Sequence, residues 1–391
     1  MHRPASPYPG TTVTTAAPAP GPVLLRRRAA LGLLAGGLAL ATMRSARAAA
    51  KVVKAEVAPA LYELAFSPAR NALYVLSAGG FEEGSPASHL FCLDPDSLAI
   101  RSELVLPLRG FGLALDDAGG RLYVGHTLDA AVSAVDLGAN RIAGTLRLAS
   151  KVKGEDGKED YPYKLRELLL DPSGERLYLP GLGLKDSQVY VVGTKGLTAE
   201  KPITGIGPGA TGISLDPAKD RLFISTLAGQ LFTIDRKTQE VRHSVEAGGA
   251  EQPLNLAYDP ASGAVLAVDQ GMESLTRYKE KMIPGFKSKN PGNRVVAVEP
   301  ESGKLLWEAA VGEGPVALRL DAARQRLFVT NRGSGSVSVL DTGRHSVTET
   351  VPLPPHPNSL ALDEKSGAAF VSIKLPFKQI KEKDSVARIT L

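Results

Sequence analysis

The stretch RLFVTNRGSGSVSVLD, residues 326–341, decides how the chain is interpreted. It predicts two short strands, RLFVTN and SVSVLD, because apolar and polar residues alternate in both and a Gly/Ser turn separates them. A third predicted strand lies just before this stretch, in residues 316–325, and a fourth follows in residues 345–354, where prolines end it. Together they predict one four-stranded antiparallel unit of about 40 residues.

This unit recurs seven times along the chain. Each copy has an apolar run, usually an Asp, a turn of four or five residues and a second apolar run. When the copies are aligned, the recurring Asp is Asp116, Asp171, Asp216, Asp259, Asp321 and Asp363, and Ser67 takes its place in the first copy. Four strands at such a period are typical of a β-propeller blade. The sequence therefore predicts an all-β fold, a single seven-bladed β-propeller over residues 49–391.

The sixth and seventh copies also carry a family resemblance. FVTNRGSGSVSVLDT, followed by TVPLPPHPNSLALD, resembles the YVTN-type repeat of YncE-like bacterial seven-bladed propellers. The resemblance implies an exported propeller; some members of that family bind single-stranded DNA, and others have no assigned activity. The motif brings no set of catalytic residues with it, so we predict none, and we expect no cofactor.

Residues 1–48 predict an export signal rather than part of the fold. Arg26, Arg27 and Arg28 precede an apolar run, residues 29–42, and Ala46-Arg47-Ala48 forms an A-x-A cleavage site. We therefore expect cleavage after Ala48 and a periplasmic protein. The arginines favour the twin-arginine (Tat) route, although Ala30 stands where that motif prefers a bulky apolar residue, and the Sec route stays open.

The basic character of the chain belongs to this leader. The whole sequence carries 46 basic and 41 acidic residues, a net charge of +5. The leader contains six arginines and no acidic residue, so the mature chain has 40 basic and 41 acidic residues. Net charge therefore gives no support for a nucleic-acid partner.

One further strand completes the predicted ring. The last copy lacks its outer strand, and residues 51–58, KVVKAEVA, have no other place, so we expect them to supply it. The ring then leaves no long exposed edge.

Cys92, the single cysteine, lies in a predicted strand and is interpreted as a structural thiol.

Loop lengths indicate where function lies. The turns from strand a to b and from c to d are short, and both belong to one end of the strands, the short-turn face. The opposite end, the long-loop face, carries four insertions at residues 78–88, 150–164, 271–292 and 374–384. Long loops are often functional, so we expect this face to bind a ligand or a protein, with the chain acting as a monomer.

Three groups of residues on that face are candidates. Basic and aromatic residues of the third and fourth insertions could hold a protein or, as a second alternative, a single-stranded nucleic acid. They are Arg277, Tyr278, Lys279, Lys281, Phe286, Lys287, Lys289, Lys374, Phe377 and Lys378. The histidines His89, His126 and His356 are weak metal candidates, since no local ligand spacing joins them.

The third group lies at the mouth of the predicted channel. Glu63 and Glu167 occupy equivalent positions of strand a in the first and third blades, Asn255 occupies it in the fifth, and Arg166 adjoins Glu167. A propeller enzyme, such as a hydrolase, lactonase or oxidoreductase, would use such residues, and this is the first alternative to a binding protein. The expected ion-pair partners of the two glutamates are Arg166 or loop lysines.

Overall fold

Each sequence repeat forms one antiparallel four-stranded sheet, with strands lettered a to d from the central channel outward. A computed structural model describes residues 50–80, 85–154, 157–282, 286–376 and 382–391. The seven sheets are the blades of a β-propeller, which confirms the predicted fold. The predicted leader, residues 1–48, lies outside the described residues.

The strands follow the repeats closely. Strands a are Leu61–Ser67, Gly112–Asp116, Lys164–Leu165 with Leu169–Leu170, Ala210–Asp216, Pro253–Asp259, Pro315–Asp321 and Pro357–Asp363. Strands b are Ala72–Ser77, Arg121–His126, Arg176–Leu182, Arg221–Thr226, Ala264–Asp269, Arg326–Asn331 and Ala368–Ile373. Strands c are His89–Leu93, Ala131–Asp136, Ser187–Gly193, Gln230–Asp235, Arg294–Val298, Ser336–Asp341 and Asp384–Thr390. Strands d are Ile100–Val105, Arg141–Arg147, Thr198–Ala199 with Ile203–Ile206, Glu240–Glu246, Leu305–Ala310, Ser346–Pro352 and Lys51–Ala58.

The first strand of the fold completes the last blade. Lys51–Ala58 pairs antiparallel with Asp384–Thr390, from Lys51 opposite Thr390 to Ala58 opposite Asp384. Val57 and Ala58 are buried where this strand meets blade one. The predicted closure by residues 51–58 is therefore confirmed.

Aromatic residues of strand b form the centre of the packing between blades. Tyr123, Tyr178, Phe223, Phe328 and Phe370 are almost completely buried. They pack among branched aliphatic residues of the same and the adjacent sheets. Burying side chains of this size stabilises a fold by roughly 1.5–3 kcal/mol each, so these residues are core and not ligand contacts.

Strand a is interrupted at the same place in six blades. In blade one, Leu61 pairs with Ser77 and Leu64 with Val75, so two residues of strand a oppose one residue of strand b. The same shift follows the first residue of strand a in blades four to seven. In blade three the strand stops altogether between Leu165 and Leu169. Such bulges redirect side chains, and this one lies near the long-loop end of the channel.

Hydroxyl groups of strand b hold the bulge in three blades. In blade six the Thr330 hydroxyl accepts a hydrogen bond from Ala317 N at 3.0 Å and donates to the carbonyl of Asn358, in the next blade, at 3.2 Å. Ser372 accepts from Ser359 N at 3.1 Å and donates to Tyr62 O, in blade one, at 2.8 Å. This is the structural role of the Thr in the FVTN repeat: it joins two blades.

Arginine side chains join blades on the short-turn face. Arg236 of blade four contacts Asp171 of blade three at 2.5 Å and also pairs with Asp220 of its own blade. Arg324 of blade six donates to two backbone carbonyls of blade seven, those of Glu364 at 2.7 Å and Lys365 at 2.9 Å. The repeated Asp accepts backbone N–H groups of its own turn, as Asp171 does from Ser173 N at 2.9 Å.

A helix and a hairpin lie within the loops between strands. The insertion at residues 271–292 contains an α-helix, Glu273–Met282, where only a loop was expected. Its first turn carries Glu273 and its last turn Lys279 and Lys281, an order that favours the helix dipole. The hairpin pairs Val152–Lys153 with Glu159–Asp160, and a short 3-10 turn, Ala322–Arg324, follows strand a of blade six. Within the described ranges, no helix has both the length and the apolar character needed to cross a membrane.

Candidate functional site

A cavity of about 300 Å³ occupies the channel and is lined by strand a residues of blades one to six. We call it the channel cavity. Its charged residues are Glu63, Glu167 and Arg319. Its other lining residues are Gly112, Leu113, Leu168, Leu169, Ile213, Ser214, Leu215, Leu256 and Ala257.

The bulge of strand a positions the polar groups of this cavity. Glu63, Asn255 and Ser359 lie within the bulge of blades one, five and seven, and Glu167 lies in the gap of blade three. Blades two, four and six place Gly112, Gly212 and Ala317 there. Small residues in three blades therefore leave room for polar side chains from the other four.

Glu63 has a cationic partner within the channel. Its Oε1 accepts a short hydrogen bond from the Ser359 hydroxyl and lies 3.4 Å from Nη2 of Arg319. The Glu63 side chain is 19% exposed and that of Arg319 38%. Water therefore still reaches the ion pair, and we assign it a positional role rather than a large contribution to stability.

Glu167 is held by neutral donors instead. Its Oε1 accepts a short hydrogen bond from the Asn255 amide, and its Oε2 accepts from Ile213 N at 3.2 Å. Of the residues that the structure describes, none forms an ion pair with Glu167. The cavity thus holds two carboxyl groups and one guanidinium.

Burial shifts the protonation of both carboxyl groups. Desolvation raises the pKa of Glu63, and the nearby Arg319 guanidinium opposes this shift. Desolvation raises the pKa of Glu167 to about 7, with Arg319 lowering it and the Glu63 carboxylate raising it. Glu167 therefore exchanges its proton near neutral pH.

One further polar group of the cavity has no partner. Ser214 is 5% exposed, and its hydroxyl oxygen finds no hydrogen-bond partner within the described part of the chain. Leaving such a group unpaired costs roughly 1–3 kcal/mol. Its oxygen is itself enclosed by protein atoms, so it is not exposed to the cavity.

The predicted channel group is partly assembled. The structure brings Glu63, Glu167 and Asn255 toward one cavity, whereas Arg166 is exposed and is not among the lining residues. The partner of Glu63 is Arg319 and not the expected Arg166 or a loop lysine. Arg319 could have been found in the sequence, because blades one, two, five and seven have Ala at the equivalent position, as Ala361 in blade seven.

The predicted basic group is divided between internal and exposed residues. Lys279 is 4% exposed; it donates a short hydrogen bond to the Glu251 carbonyl and lies 4.3 Å from the centre of the Phe286 ring. Arg277 pairs with Glu273 of its own helix at 2.6 Å. Arg277 is nevertheless exposed, as are Tyr278, Lys281, Lys287 and Lys289. Phe377 and Lys378 lie outside the described residues.

Lys374 belongs to the seam between blades seven and one. Its Nζ donates to the Leu61 carbonyl at 2.9 Å and lies 3.4 Å from the centre of the Tyr62 ring. Burial lowers the pKa of Lys374 to about 7, and Asp384 opposes the shift. Lys279 and Lys374 are therefore internal contacts, contrary to the expectation that both belong to an exposed basic surface.

The three histidines are not brought together. His126 is completely buried, and its ring nitrogens lie 3.1 Å from the Arg109 carbonyl and 2.8 Å from the Ser133 hydroxyl. Desolvation lowers the pKa of His126 to about 4, so its ring is neutral. His89 and His356 each contact a separate backbone carbonyl. Across the described ranges, no three His, Cys, Asp or Glu side chains are grouped to hold a metal ion.

Cys92 is half-buried in strand c of blade one. Burial raises the pKa of its thiol, so the reactive thiolate is disfavoured at neutral pH. The prediction of a structural thiol agrees with this environment.

Fold and cavity together define a seven-bladed β-propeller with a polar channel. No protein-family model matches the chain. It is 27% identical over 365 residues to a Salmonella typhimurium protein named "Uncharacterized protein YncE", an alignment that covers 92% of this chain and 96% of that protein. Its identity to the Escherichia coli K12 protein of the same name is also 27%, with the same coverage. The chain is thus a YncE-like propeller with homologues of that name.

Proposed function

We propose that this YncE-like propeller binds a small polar ligand in the channel cavity, beneath the long-loop face. The observation that carries the proposal is the cavity itself, with Glu63, Glu167 and Arg319 in its wall. A concave site on which a few polar groups converge is a usual form of ligand site.

The long-loop face supports the same choice. A macromolecule-binding surface was expected to use the basic residues of the third and fourth insertions. Two of its lysines, Lys279 and Lys374, instead hold the helix and the blade seam in place. The remaining exposed residues of the third insertion then form a smaller surface than the sequence suggests, and the cavity is the better-formed site.

The place of action follows from the leader. The arginines before residues 29–42 and the A-x-A site at Ala46–Ala48 favour export, so the proposed ligand is one found in the periplasm. A chain purified from an exporting cell and beginning at Ala49 would support this part of the proposal.

Acid–base catalysis at the same cavity is a second candidate. One observation favours it: the pKa of Glu167 is raised to about 7, the range in which a carboxyl group can both accept and donate a proton at neutral pH. Turnover of the retained ligand by the wild-type protein, lost in Glu167→Gln while binding persists, would favour an enzyme over a binding protein.

Native mass spectrometry of protein purified from the exporting cell tests the binding proposal. We expect an extra mass on the wild type that is lost from Ser214→Leu, which fills the cavity. The control is Ser244→Leu on the exposed outer strand of blade four, which should keep the ligand. A ligand retained equally by Ser214→Leu, or no ligand on any of the three proteins, would contradict the proposal.

A further inference from the structure

We propose that a groove on the long-loop face binds the C-terminal carboxylate of a partner polypeptide, and that Arg147 is the residue that holds it. The groove lies where the outer strand of blade two meets the residues that flank the hairpin of the second insertion; we call it the blade-two groove. The inference goes beyond the proposed function, because the groove shares no lining residue with the channel cavity. The lining residues that matter are Leu128, Asp129, Arg147, Leu148, Lys151 and Tyr161.

The blade-two groove is larger than the channel cavity and open to solvent. Its volume is about 840 Å³, and Leu128, Arg147 and Lys151 in its lining are exposed. Sites for small molecules usually bury most of the surface of the ligand. An open groove of this size therefore suits a segment of polypeptide that lies along the surface better than it suits a small molecule.

Arg147 is anchored through one of its three nitrogens. Its Nη1 donates to the Tyr161 hydroxyl at 2.7 Å and to the Asp129 carbonyl at 3.4 Å. Its Nε and Nη2 donate to no residue of the described ranges. Because the guanidinium is planar and its five N–H donors form a rigid fork, fixing Nη1 also orients the edge that Nε and Nη2 form.

The same edge binds carboxylates elsewhere in this chain. Arg221 donates to the Asp216 carboxylate through Nε at 3.2 Å and through Nη2 at 2.7 Å. Arg242 uses the same two nitrogens for the Asp235 carboxylate. Arg147 has this edge oriented in the same way by its anchor, but no carboxylate of the described residues occupies it. A carboxylate from a partner would complete the arrangement.

The charges of the groove favour a ligand with one negative charge. Arg147, Lys151 and Asp129 are the charged residues of the lining, and none of them forms an ion pair with another described residue. Asp160 of the hairpin lies outside the lining and pairs with Lys164. The lining therefore has a net charge of +1, which a single carboxylate would neutralise.

A smaller apolar part of the groove lies beside these charges. Leu128 is 42% exposed, and Leu148 follows Arg147 in the sequence and also lines the groove. The last residue of a polypeptide has its carboxylate on the same carbon as its side chain. An apolar last residue could therefore contact Leu128 while Arg147 holds the charge, as in other sites that capture a chain terminus. An internal Asp or Glu has no apolar group so close to its carboxylate.

Fluorescence anisotropy with labelled peptides tests the inference on the chain that begins at residue 49. The probe is fluorescein-Gly-Ser-Gly-Ser-Ala-Leu with a free terminal carboxylate, and the matched probe is the same peptide with a terminal amide. We expect the amide to bind at least about fivefold more weakly, because it offers Arg147 no negative charge. A third probe, amidated and with an internal Glu in place of the second Ser, should bind as the amide does.

Three variants complete the design. Arg147→Gln should bind the free and the amidated peptide equally. The matched control is Arg141→Gln, at the other end of the same outer strand, where the arginine is 66% exposed and lies 3.9 Å from Asp136; it should keep the preference for the free carboxylate. Leu128→Ser should weaken both peptides by a similar factor, about two- to fivefold. The comparison of peptides on the wild type needs no variant to fold.

Several results would overturn the inference. They are equal binding of the free and amidated peptides, an unchanged preference in Arg147→Gln, and an internal-Glu peptide that binds as tightly as the free one. Displacement of the probe by an equal concentration of phosphate, dodecanoate or oligothymidylate would assign the groove to another kind of anion. Absence of saturable binding up to about 1 mM peptide would also contradict the inference. None of these results affects the channel cavity, whose test is the ligand retained on the purified protein.

Discussion

At the scale of single residues, the Thr of the FVTN repeat makes two structural hydrogen bonds, one within its own blade and one to the next blade. One hydroxyl, that of Thr330, accepts from the backbone N–H at the bulge of blade six and donates to the carbonyl of Asn358 in blade seven. In blades four and seven, Ser225 and Ser372 make the corresponding pair of contacts. A hydroxyl at this point fixes both the bulge and the neighbouring blade.

Thr330→Val tests this role with a side chain of nearly the same shape. The change leaves Ala317 N and Asn358 O without this partner in a buried place, so the free energy of unfolding should fall by about 1–3 kcal/mol. Urea denaturation measures it. Thr350→Val on the exposed outer strand is the control and should stay within about 0.5 kcal/mol of wild type. Equal losses in the two variants would contradict the assignment.

A second prediction at the residue scale concerns Glu167 and how the stability of the fold depends on pH. Its pKa is about 7 in the folded protein against 4.5 ordinarily, so the folded state binds more protons between these values and stability falls as pH rises through them. Glu167→Gln removes this loss. Relative to wild type, the variant should gain up to ~1–3 kcal/mol between pH 5 and pH 8. Parallel stability curves in urea at both pH values would refute the shift.

At the scale of elements, the strands were predictable and the helix was not. Strand positions follow from residues that alternate within each copy, and the Asp column marks the turn after strand a. Residues 273–282 are mostly polar, and the only helical signal is a short stripe of Leu275, Tyr278 and Met282 within a long insertion. The helix is held by individual contacts instead: Gln252 accepts from Met272 N at 2.8 Å and donates to the Thr276 hydroxyl at 2.7 Å.

The candidate site was predictable only for those residues that share one position of the repeat. Glu63, Glu167 and Asn255 share one repeat position, so the alignment of copies brings them together. Arg319 occupies a different position in its repeat, and its contact with Glu63 depends on side-chain conformation. Lys279 and Lys374 were expected at the surface because lysines in long loops usually lie there; only the structure shows the carbonyls that they contact.

A prediction at the scale of elements concerns the outer strand of blade seven. A chain that begins at residue 59 lacks Lys51–Ala58 and exposes the edge of Asp384–Thr390. We expect it to lose more than ~4 kcal/mol of stability and its single cooperative unfolding transition, measured by calorimetry. A chain that begins at residue 50 keeps the strand and is the control. Cooperative unfolding of the shorter chain would show that closure is dispensable.

At the scale of the whole molecule, ion pairs between blades limit how far the ring can open. Asp171 is 3% exposed and contacts Arg236, which belongs to the neighbouring blade. The pKa of Asp171 is lowered by its hydrogen bonds to Ser173 and Arg236, although burial alone would raise it. The buried carboxylate therefore depends on a residue from outside its own sheet.

Arg236→Gln tests that dependence. Removing the guanidinium leaves Asp171 buried without its cation, so stability at neutral pH should fall by about 2–4 kcal/mol. Arg242→Gln is the matched control, because Arg242 pairs with Asp235 within one blade and is 46% exposed. Its loss should not exceed about 1 kcal/mol by thermal denaturation. A larger effect from Arg242 would show that contacts between blades matter less than those within them.

The closure of the ring also sets the order in which the molecule can form during synthesis. Among the strands of the fold, Lys51–Ala58 emerges from the ribosome first and its pairing partner, Asp384–Thr390, emerges last. At the same seam, Leu61 N and its acceptor Asp384 are 323 positions apart. Blades of nearby residues can form early, whereas the final seam requires Asp384–Thr390. A nascent chain therefore carries an unpaired edge for most of its translation, and the period of greatest aggregation risk ends only with the last seven-residue strand, Asp384–Thr390.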